Sequence, residues 1–307
     1  MRVRRPAGLL FCLCGGLLLL AWATGRMASD RWLWSQWLLW LPGLTLIPAF
    51  LLIGLGLTLL RFKRRVVLVV SCAALLGPLS DAVDLWRPLG GAPHTTRTLR
   101  LLHWTAGPGM RDPEVLLQAM QRTDPDVVVT LGPNVAARGA ALANWGAVPG
   151  PMRQAEFIVF SKYPVIRCRS LARSNDIQLV ALDLDVHGQP VHVLLLDLPS
   201  DPTRSRWMIA QQARTLIDAK VEGTVDLVLG DFNMSQLSTA LRSIRPGWKL
   251  AIPRGGLGWG GTWPRALPLW RIDHVLVPAD SPLPHIETFD PGAGRHRAQI
   301  IDLTVPR

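Results

Sequence analysis

Apolar positions divide the chain unevenly: long uninterrupted runs fill residues 1–92, whereas residues 93–307 carry short runs punctuated by charge, Gly and Pro. The first run, Gly8 to Ala23, follows Met1-Arg2-Val3-Arg4-Arg5 and is about long enough to cross the ~30 Å hydrocarbon layer of a bilayer. It also reads as a signal peptide, because Ala21-Trp22-Ala23 has the small-x-small form of a cleavage site. The second run, Trp37 to Leu60, extends 24 residues without a charge and contains Pro42 and Pro48, which membrane helices tolerate. It is the strongest candidate span. The third, Val66 to Leu79 and on to Val83, is shorter and ends toward Asp81 and Asp84. The pattern predicts a membrane anchor of about three transmembrane helices over residues 1–92, with a boundary near Arg87-Pro88-Leu89-Gly90-Gly91.

Beyond that boundary the pattern alternates between strands and helices. Thr98 to Trp104 reads as a strand, Pro113 to Gln121 as a helix, and Asp126 to Thr130 as a strand buried on both faces. Further strands are expected at Phe157 to Phe160, Ile177 to Val186 and Val191 to Leu196, the last two joined as a hairpin through His187-Gly188-Gln189-Pro190. Arg206 to Ala219 has the spacing of an amphipathic helix, and strands at Asp226 to Leu229, Ile272 to Val277 and Gln299 to Val305 complete the set. Hairpins with intervening helices predict one α/β domain over residues 93–307, built on a mixed sheet core covered by helices.

The formal charge of +11 would suggest a nucleic-acid partner if it sat on this domain. It does not. Residues 1–92 hold 10 Lys/Arg against 3 Asp/Glu, and residues 93–307 hold 23 against 19. No Arg stripe interleaved with aromatics marks the domain, so nucleic acid is the less favoured ligand. The anchor's charges also orient it. Arg2, Arg4, Arg5 and the cluster Arg61, Lys63, Arg64, Arg65 outnumber Arg26 and Arg31, which places the N-terminus in the cytoplasm and, after three crossings, the domain on the outer side. Trp22, Trp32, Trp34, Trp37, Trp40 and Trp86 gather toward that outer boundary as an aromatic belt would. Of the four cysteines only Cys168 lies in the domain, which excludes a disulfide scaffold or a cysteine-ligated zinc there.

The sharpest chemical signal is Val228-Leu229-Gly230-Asp231-Phe232-Asn233, a strand that stops at Gly and presents an Asp and an Asn two residues apart. In extended geometry both side chains project to one side, where a carboxylate and a carboxamide can position water and hold a phosphate oxygen. An Asx turn capping the helix after Ser235 is the competing reading. Histidines 103, 187, 192, 274 and 285 fall in no ligand spacing and read as surface or hydrogen-bonded core residues. The Gly255 to Gly261 stretch lacks the Lys and Ser/Thr of a phosphate loop, and no Gly-x-Ser-x-Gly marks a serine hydrolase.

Around that motif stand Gly261-Thr262-Trp263-Pro264, Arg271-Ile272-Asp273-His274-Val275, Gly294-Arg295-His296-Arg297 and, upstream, Leu101-Leu102-His103-Trp104-Thr105, Asp124-Pro125-Asp126-Val127 and Phe160-Ser161-Lys162-Tyr163-Pro164. In order and spacing this series resembles the endonuclease/exonuclease/phosphatase family of metal-dependent phosphodiesterases. The resemblance implies a four-layer α/β sandwich, two packed mixed sheets flanked by helices, preceded here by the transmembrane helical region. It also implies Mg²⁺ or Mn²⁺ as cofactor, with Asp231 orienting or deprotonating water, Asn233 holding phosphate, His296 contacting phosphoryl oxygens and Asp273 fixing the tautomer of His296.

The chain departs from the family pattern at four places: Thr105 stands for Asn, Gly132 for the Glu that is the chief metal ligand, Asp197 for His, and Arg295 for Asp. A glycine has no side chain to coordinate a cation, and Arg295 adds positive charge where a metal would sit. Compensation could come from Asn134, though Pro133 opposes it, from Asp197 as a replacement carboxylate, or from Arg295 taking part of the metal's electrostatic role. Two functions therefore stand open: a membrane-tethered hydrolase of phosphate esters with an altered metal site, or a non-catalytic phosphate- or partner-binding module. Beside a bilayer, a lipid or cell-envelope phosphate is the more plausible ligand.

Overall fold

The computed structural model describes residues 4–87, 99–108, 110, 112–132, 145, 151–174, 176–252 and 258–304. The boundary peptide Pro88 to Gly91, Pro133, Asn134 and Gly255 to Leu257 lie outside the described residues. The chain forms two compact units.

The first unit gathers Met1–Trp86 with the short segments Thr203–Trp207 and Leu237–Ala240. Helix α1 (Arg4–Ala28) takes in the whole first apolar run, and its Leu9, Leu10, Leu13, Leu17 and Leu20 are exposed. A surface of that kind suits lipid, because in water it would be a large unpartnered patch. The buried positions of α1 are instead Gly8, Gly15 and Gly25. A Cβ at Gly15 would lie 2.4 Å from the Ala49 carbonyl oxygen, so glycine is what lets the two helix backbones touch.

The second apolar run is not one continuous helix. Helix α2 (Leu33–Leu39) and the stretch Gly43–Leu59, which ends in α3 (Leu46–Leu59), are bent by 80° at the intervening break. Pro42 lacks the N–H that a continuous helix needs there. The carboxylate of Asp81 then accepts hydrogen bonds from the N–H groups of Gly43 (2.6 Å) and Leu44 (2.9 Å), satisfying the exposed start of the second piece. The third run forms α4 (Arg64–Cys72), a short 3₁₀ turn and α5 (Leu76–Leu85). Two helices, Arg4–Ala28 and Arg64–Ala82, are long and apolar enough to cross a membrane, or three if the bent pair is one span. Within this unit buried Asp30 accepts from the N–H groups of Thr239 (3.1 Å) and Ala240 (3.0 Å) and from the Ser238 hydroxyl.

The second unit holds Arg87–Pro202, Met208–Gln236 and Leu241–Arg307. In chain order the strands are β1 (Trp86–Arg87), β2 (Leu99–Thr105), β3 (Val127–Leu131), β4 (Met152–Gln154), β5 (Phe157–Ser161), β6 (Val165–Ser174), β7 (Ile177–Val186) and β8 (Gln189–Asp197). They continue with β9 (Leu227–Asp231), β10 (Lys249–Ala251), β11 (Gly258–Trp259), β12 (Asp273–Val277), β13 (His285–Phe289) and β14 (Ala298–Leu303). The helices are α6 (Pro113–Thr123), α7 (Arg206–Lys220) and α8 (Thr239–Ile244). Among the described residues two mixed six-stranded sheets form, ordered β10-β12-β9-β8-β7-β6 and β13-β14-β2-β3-β5-β4. This is the expected sandwich of two packed sheets flanked by helices.

Strand alternation sorts the core into layers. Leu99 and Leu101 of β2 face the space between the sheets with Val127, Val129, Leu195, Leu229 and Val275, whereas Leu102 and Trp104 point the other way and pack with Leu116 and Met120 of α6. The β7–β8 hairpin is tighter than expected. Val186 pairs with Gln189, so the turn is His187-Gly188 alone, both with positive φ, the conformation that matches strand twist. Strands β4, β6, β10 and β13, which the apolar pattern leaves unmarked, are the four sheet edges. Edge strands are half exposed and carry charge, as with Arg167, Arg169 and Arg173 of β6, so they lack the buried alternation that marks interior strands.

Candidate functional site

At one end of the inter-sheet layer the apolar rows give way to polar ones. Register places Asp273 opposite Asp231, Asp231 beside Asp197, and Asp197 opposite Gln178, so four neighbouring strands, β12, β9, β8 and β7, align a polar row. Gln178 Nε2 donates to Asp197 Oδ2 (3.0 Å), while its Oε1 accepts from the Glu156 N–H (2.8 Å). Burial, and then the nearby Asp231 carboxylate, push the Asp197 carboxyl up to about 8, so at neutral pH it holds a proton. From the facing sheet Thr105 donates its hydroxyl to Asp273 Oδ1 (2.6 Å). His103, on the same face of β2, is fully buried and kept neutral by that burial, with Gln299 opposite it on β14.

His296 completes the cluster from the loop before β14. Its Nδ1 lies 2.8 Å from Asp273 Oδ2 and its Nε2 lies 3.8 Å from Asp231 Oδ2. The loop is fixed by its backbone: Trp104 Nε1 donates to the His296 carbonyl (3.2 Å) and the Arg297 N–H to the Thr262 carbonyl (2.8 Å). The Thr262 hydroxyl also accepts from the N–H groups of Ile272 (3.1 Å) and Asp273 (3.3 Å), so one buried threonine ties both halves of the Asp273–His296 pair. Neither Thr262 nor Gln178 announces this role in the sequence.

Burial alone would lower the His296 pKa, but the Asp273 charge and hydrogen bond, helped by Asp231, outweigh it and push it up to about 9. Asp273, despite burial that favours its neutral form, is held well below the usual carboxylate range by His296. A His raised from about 6.5 to about 9 stabilises the fold fully below the lower value and loses that contribution as pH rises through the upper one. The melting temperature is expected to fall between pH 6.5 and 9.5, with a pH-dependent part on the order of 3 kcal/mol. A flat profile across that window in differential scanning calorimetry would refute the ion pair.

Of the four residues expected to act, the structure brings Asp231, Asp273 and His296 together. Asn233 behaves differently from the expectation of a same-side projection. The chain turns after β9, Asn233 adopts positive φ, and its Nδ2 donates to the Leu198 carbonyl (2.8 Å) while its N–H donates to Asp231 Oδ1 (3.0 Å). The Asx turn and the cluster thus coexist on one carboxylate. The other histidines are structural: His274 Nε2 lies 2.8 Å from the Met234 carbonyl, His192 pairs with Asp183, His187 meets the Tyr163 hydroxyl, and His285 is buried on β13.

A model of the Endonuclease/Exonuclease/phosphatase family matches residues 105–298. The fold is similar to that of a mannosyl-6-phosphatase from Bacteroides thetaiotaomicron, with 12% identity and a TM-score of 0.50 over 67% of this chain and 100% of that one. It is likewise similar to a Bacteroides thetaiotaomicron protein described by the same family name, with 13% identity and a TM-score of 0.50 over 67% of this chain and 97% of that one. At such identities the likeness is one of fold. No curated protein sequence matches the chain.

The family generally uses divalent metals, and Asp231, Asp273 and His296 place one potential ligand atom each within 4.8 Å of one another. That donor set is thin for Mg²⁺ or Mn²⁺, which take an octahedral shell of oxygens. Both Asp273 oxygens already accept hydrogen bonds, His296 Nδ1 is spent on Asp273, and Asp231 Oδ1 on the Asn233 N–H. Gly132 contributes no side chain, and its α-carbon packs on Gly107: a Cβ at 132 would lie 3.2 Å from Gly107 Cα. Among the described residues no set fits a protein-built oxygen shell for a hard divalent cation.

Proposed function

The chain belongs to the endonuclease/exonuclease/phosphatase family, and from that premise we propose that it is a membrane-tethered hydrolase of phosphate esters with an altered metal site. The observation that carries this reading is the buried Asp273–His296 pair with its Nε2 turned toward Asp231. The imidazolium, held upright by Asp273, donates to a phosphoryl oxygen and stabilises the charge that develops there. Asp231 accepts the hydrogen bond of the attacking water and takes its proton as the water oxygen bonds to phosphorus and the P–O bond to the ester oxygen breaks, the alcohol leaving with a proton from solvent. The Asn233 amide keeps one N–H for the phosphate while the other holds Leu198. The phosphatase of similar fold supports a phosphate ester as the substrate class.

The anchor is the first apolar helix with the runs that follow, and the phosphate lies on a lipid or on the cell envelope. The domain faces the outer side: Arg61, Lys63, Arg64 and Arg65 match the N-terminal arginines in side only if the bent pair crosses the bilayer. A second reading, a non-catalytic phosphate- or partner-binding module, is favoured by Gly132 and Arg295. The two separate in one assay. Full-length protein in detergent, given bis(4-nitrophenyl) phosphate or phenyl phosphate with Mg²⁺, Mn²⁺ or EDTA, is expected to turn over at least one of them. Asp231→Ala is expected to lower that rate about 10²–10⁴-fold. If no condition exceeds the uncatalysed rate and Asp231→Ala is indistinguishable from the parent, the hydrolase reading fails.

A further inference from the structure

Arg295 precedes His296 in the chain, is exposed and lies within electrostatic range of its ring. Its backbone is fixed by two hydrogen bonds, the Arg295 N–H to the Ala106 carbonyl (3.2 Å) and the Arg265 N–H to the Arg295 carbonyl (2.9 Å). Its aliphatic stem lies on Gly107, whose Cβ position would be 3.1 Å from Arg295 Cδ and 3.3 Å from Cγ. Gly107 in turn packs on Gly132. Both glycines have positive φ, +78° and +72°, so this stack needs a residue without a side chain at each level. The stem therefore occupies the space that the side-chainless Gly107 leaves open, and the Gly107 backbone in turn fills the space at Gly132.

The neighbouring arginines are committed elsewhere. Arg265 pairs with Asp290 (2.9 Å) and bonds the Gly294 carbonyl (3.2 Å), and Arg297 Nε donates to the Arg265 carbonyl (3.2 Å). Among the described residues the Arg295 guanidinium makes no hydrogen bond or ion pair. A planar guanidinium with a supported stem, open to solvent beside an imidazolium, presents the fork that binds two oxygens of a phosphate at once.

We propose that Arg295 binds the phosphate oxyanion of the ligand in place of a divalent cation, so that this site holds phosphate without metal. The proposal rests on the reading of the cleft as a phosphate-ester site but not on turnover there. The ligand class is a phosphate monoester, whose two negative charges match Arg295 and His296.

The test is binding of inorganic phosphate to the full-length protein in detergent with EDTA, measured by isothermal titration calorimetry. Arg295→Gln is expected to weaken binding at least 10-fold and Arg295→Lys less, because a lysine keeps the charge but not the fork. Lys220→Gln is the control for general loss of positive charge and should bind as the parent does. Melting curves establish that each variant is folded, and Arg295 is exposed enough that little change is expected. Competition by glycerol 3-phosphate or by phosphatidic acid micelles supports the assignment and identifies a free or a lipid-borne source. Phosphate binding that requires Mg²⁺ or Mn²⁺, that survives Arg295→Gln unchanged, or that is absent altogether overturns it. Binding without hydrolysis would sink the hydrolase reading and leave the role of Arg295 intact.

Discussion

Replacing His296 with Ala is expected to destabilise the folded domain by about 3–5 kcal/mol, because it leaves the Asp273 carboxylate buried with its charge partner gone. Asp273 is 1% exposed, and among the described residues the Thr105 hydroxyl would be left as the hydrogen-bond donor to its carboxylate. Water cannot replace an imidazolium at that depth without opening the layer. The same change removes the proton donor to the phosphoryl oxygen, so any hydrolysis should fall about 10²–10⁴-fold. Two measurements separate these effects. Urea unfolding at pH 7 followed by tryptophan fluorescence reports the first, and initial rates on folded protein report the second. Because the penalty belongs to the orphaned charge, the double variant Asp273→Asn with His296→Ala should recover much of the lost stability but none of the activity. A double variant as unstable as the sum of the two single changes would show that the pair is packing and not electrostatics.

Gly230→Ala is expected to cost more than about 4 kcal/mol or to prevent folding, a loss reserved for unavoidable steric conflict. Gly230 has φ of +152°, and a Cβ built there would lie 1.8 Å from the Leu196 carbonyl oxygen and 2.8 Å from its carbon. Both atoms are backbone of the paired parallel strand, so neither can rotate away. Relief would require β8 and β9 to separate, and these strands carry Asp197 and Asp231. Soluble yield and urea midpoint of the variant, against the parent, give the answer. A midpoint shift worth less than about 1 kcal/mol would mean that the close approach is not real.

The Gly of the Gly-Asp-Phe-Asn motif is thus legible in sequence as a mark, but its reason is tertiary. The same holds for Thr262, which reads as one residue of a Gly-Thr-Trp-Pro string and proves to be the hydroxyl that joins the Asp273 backbone to the His296 loop. Interior strands such as β3, β7 and β8 were visible because both their faces are buried and their residues are correspondingly apolar. Edge strands were not, since one side of each borders solvent and tolerates Arg, Lys, Glu and Ser. The second apolar run hid its bend. Composition makes it the best span, yet the break at Pro42 and the Asp81 cap bend it by 80°.

By itself the sequence determined the apolar N-terminal segment, the alternating strands and helices of an α/β sandwich, and four residues whose chemistry suits a phosphate ester. These are properties of local pattern, since the burial of a run is written in its own residues. The tertiary structure decided which of those residues meet. Strand register set Asp197, Asp231 and Asp273 in one row, a loop brought His296 to 2.8 Å from Asp273, and Gly107 opened the space that Arg295 covers. Proximity between residues tens to hundreds of positions apart depends on how sheets pack, and no local pattern encodes it.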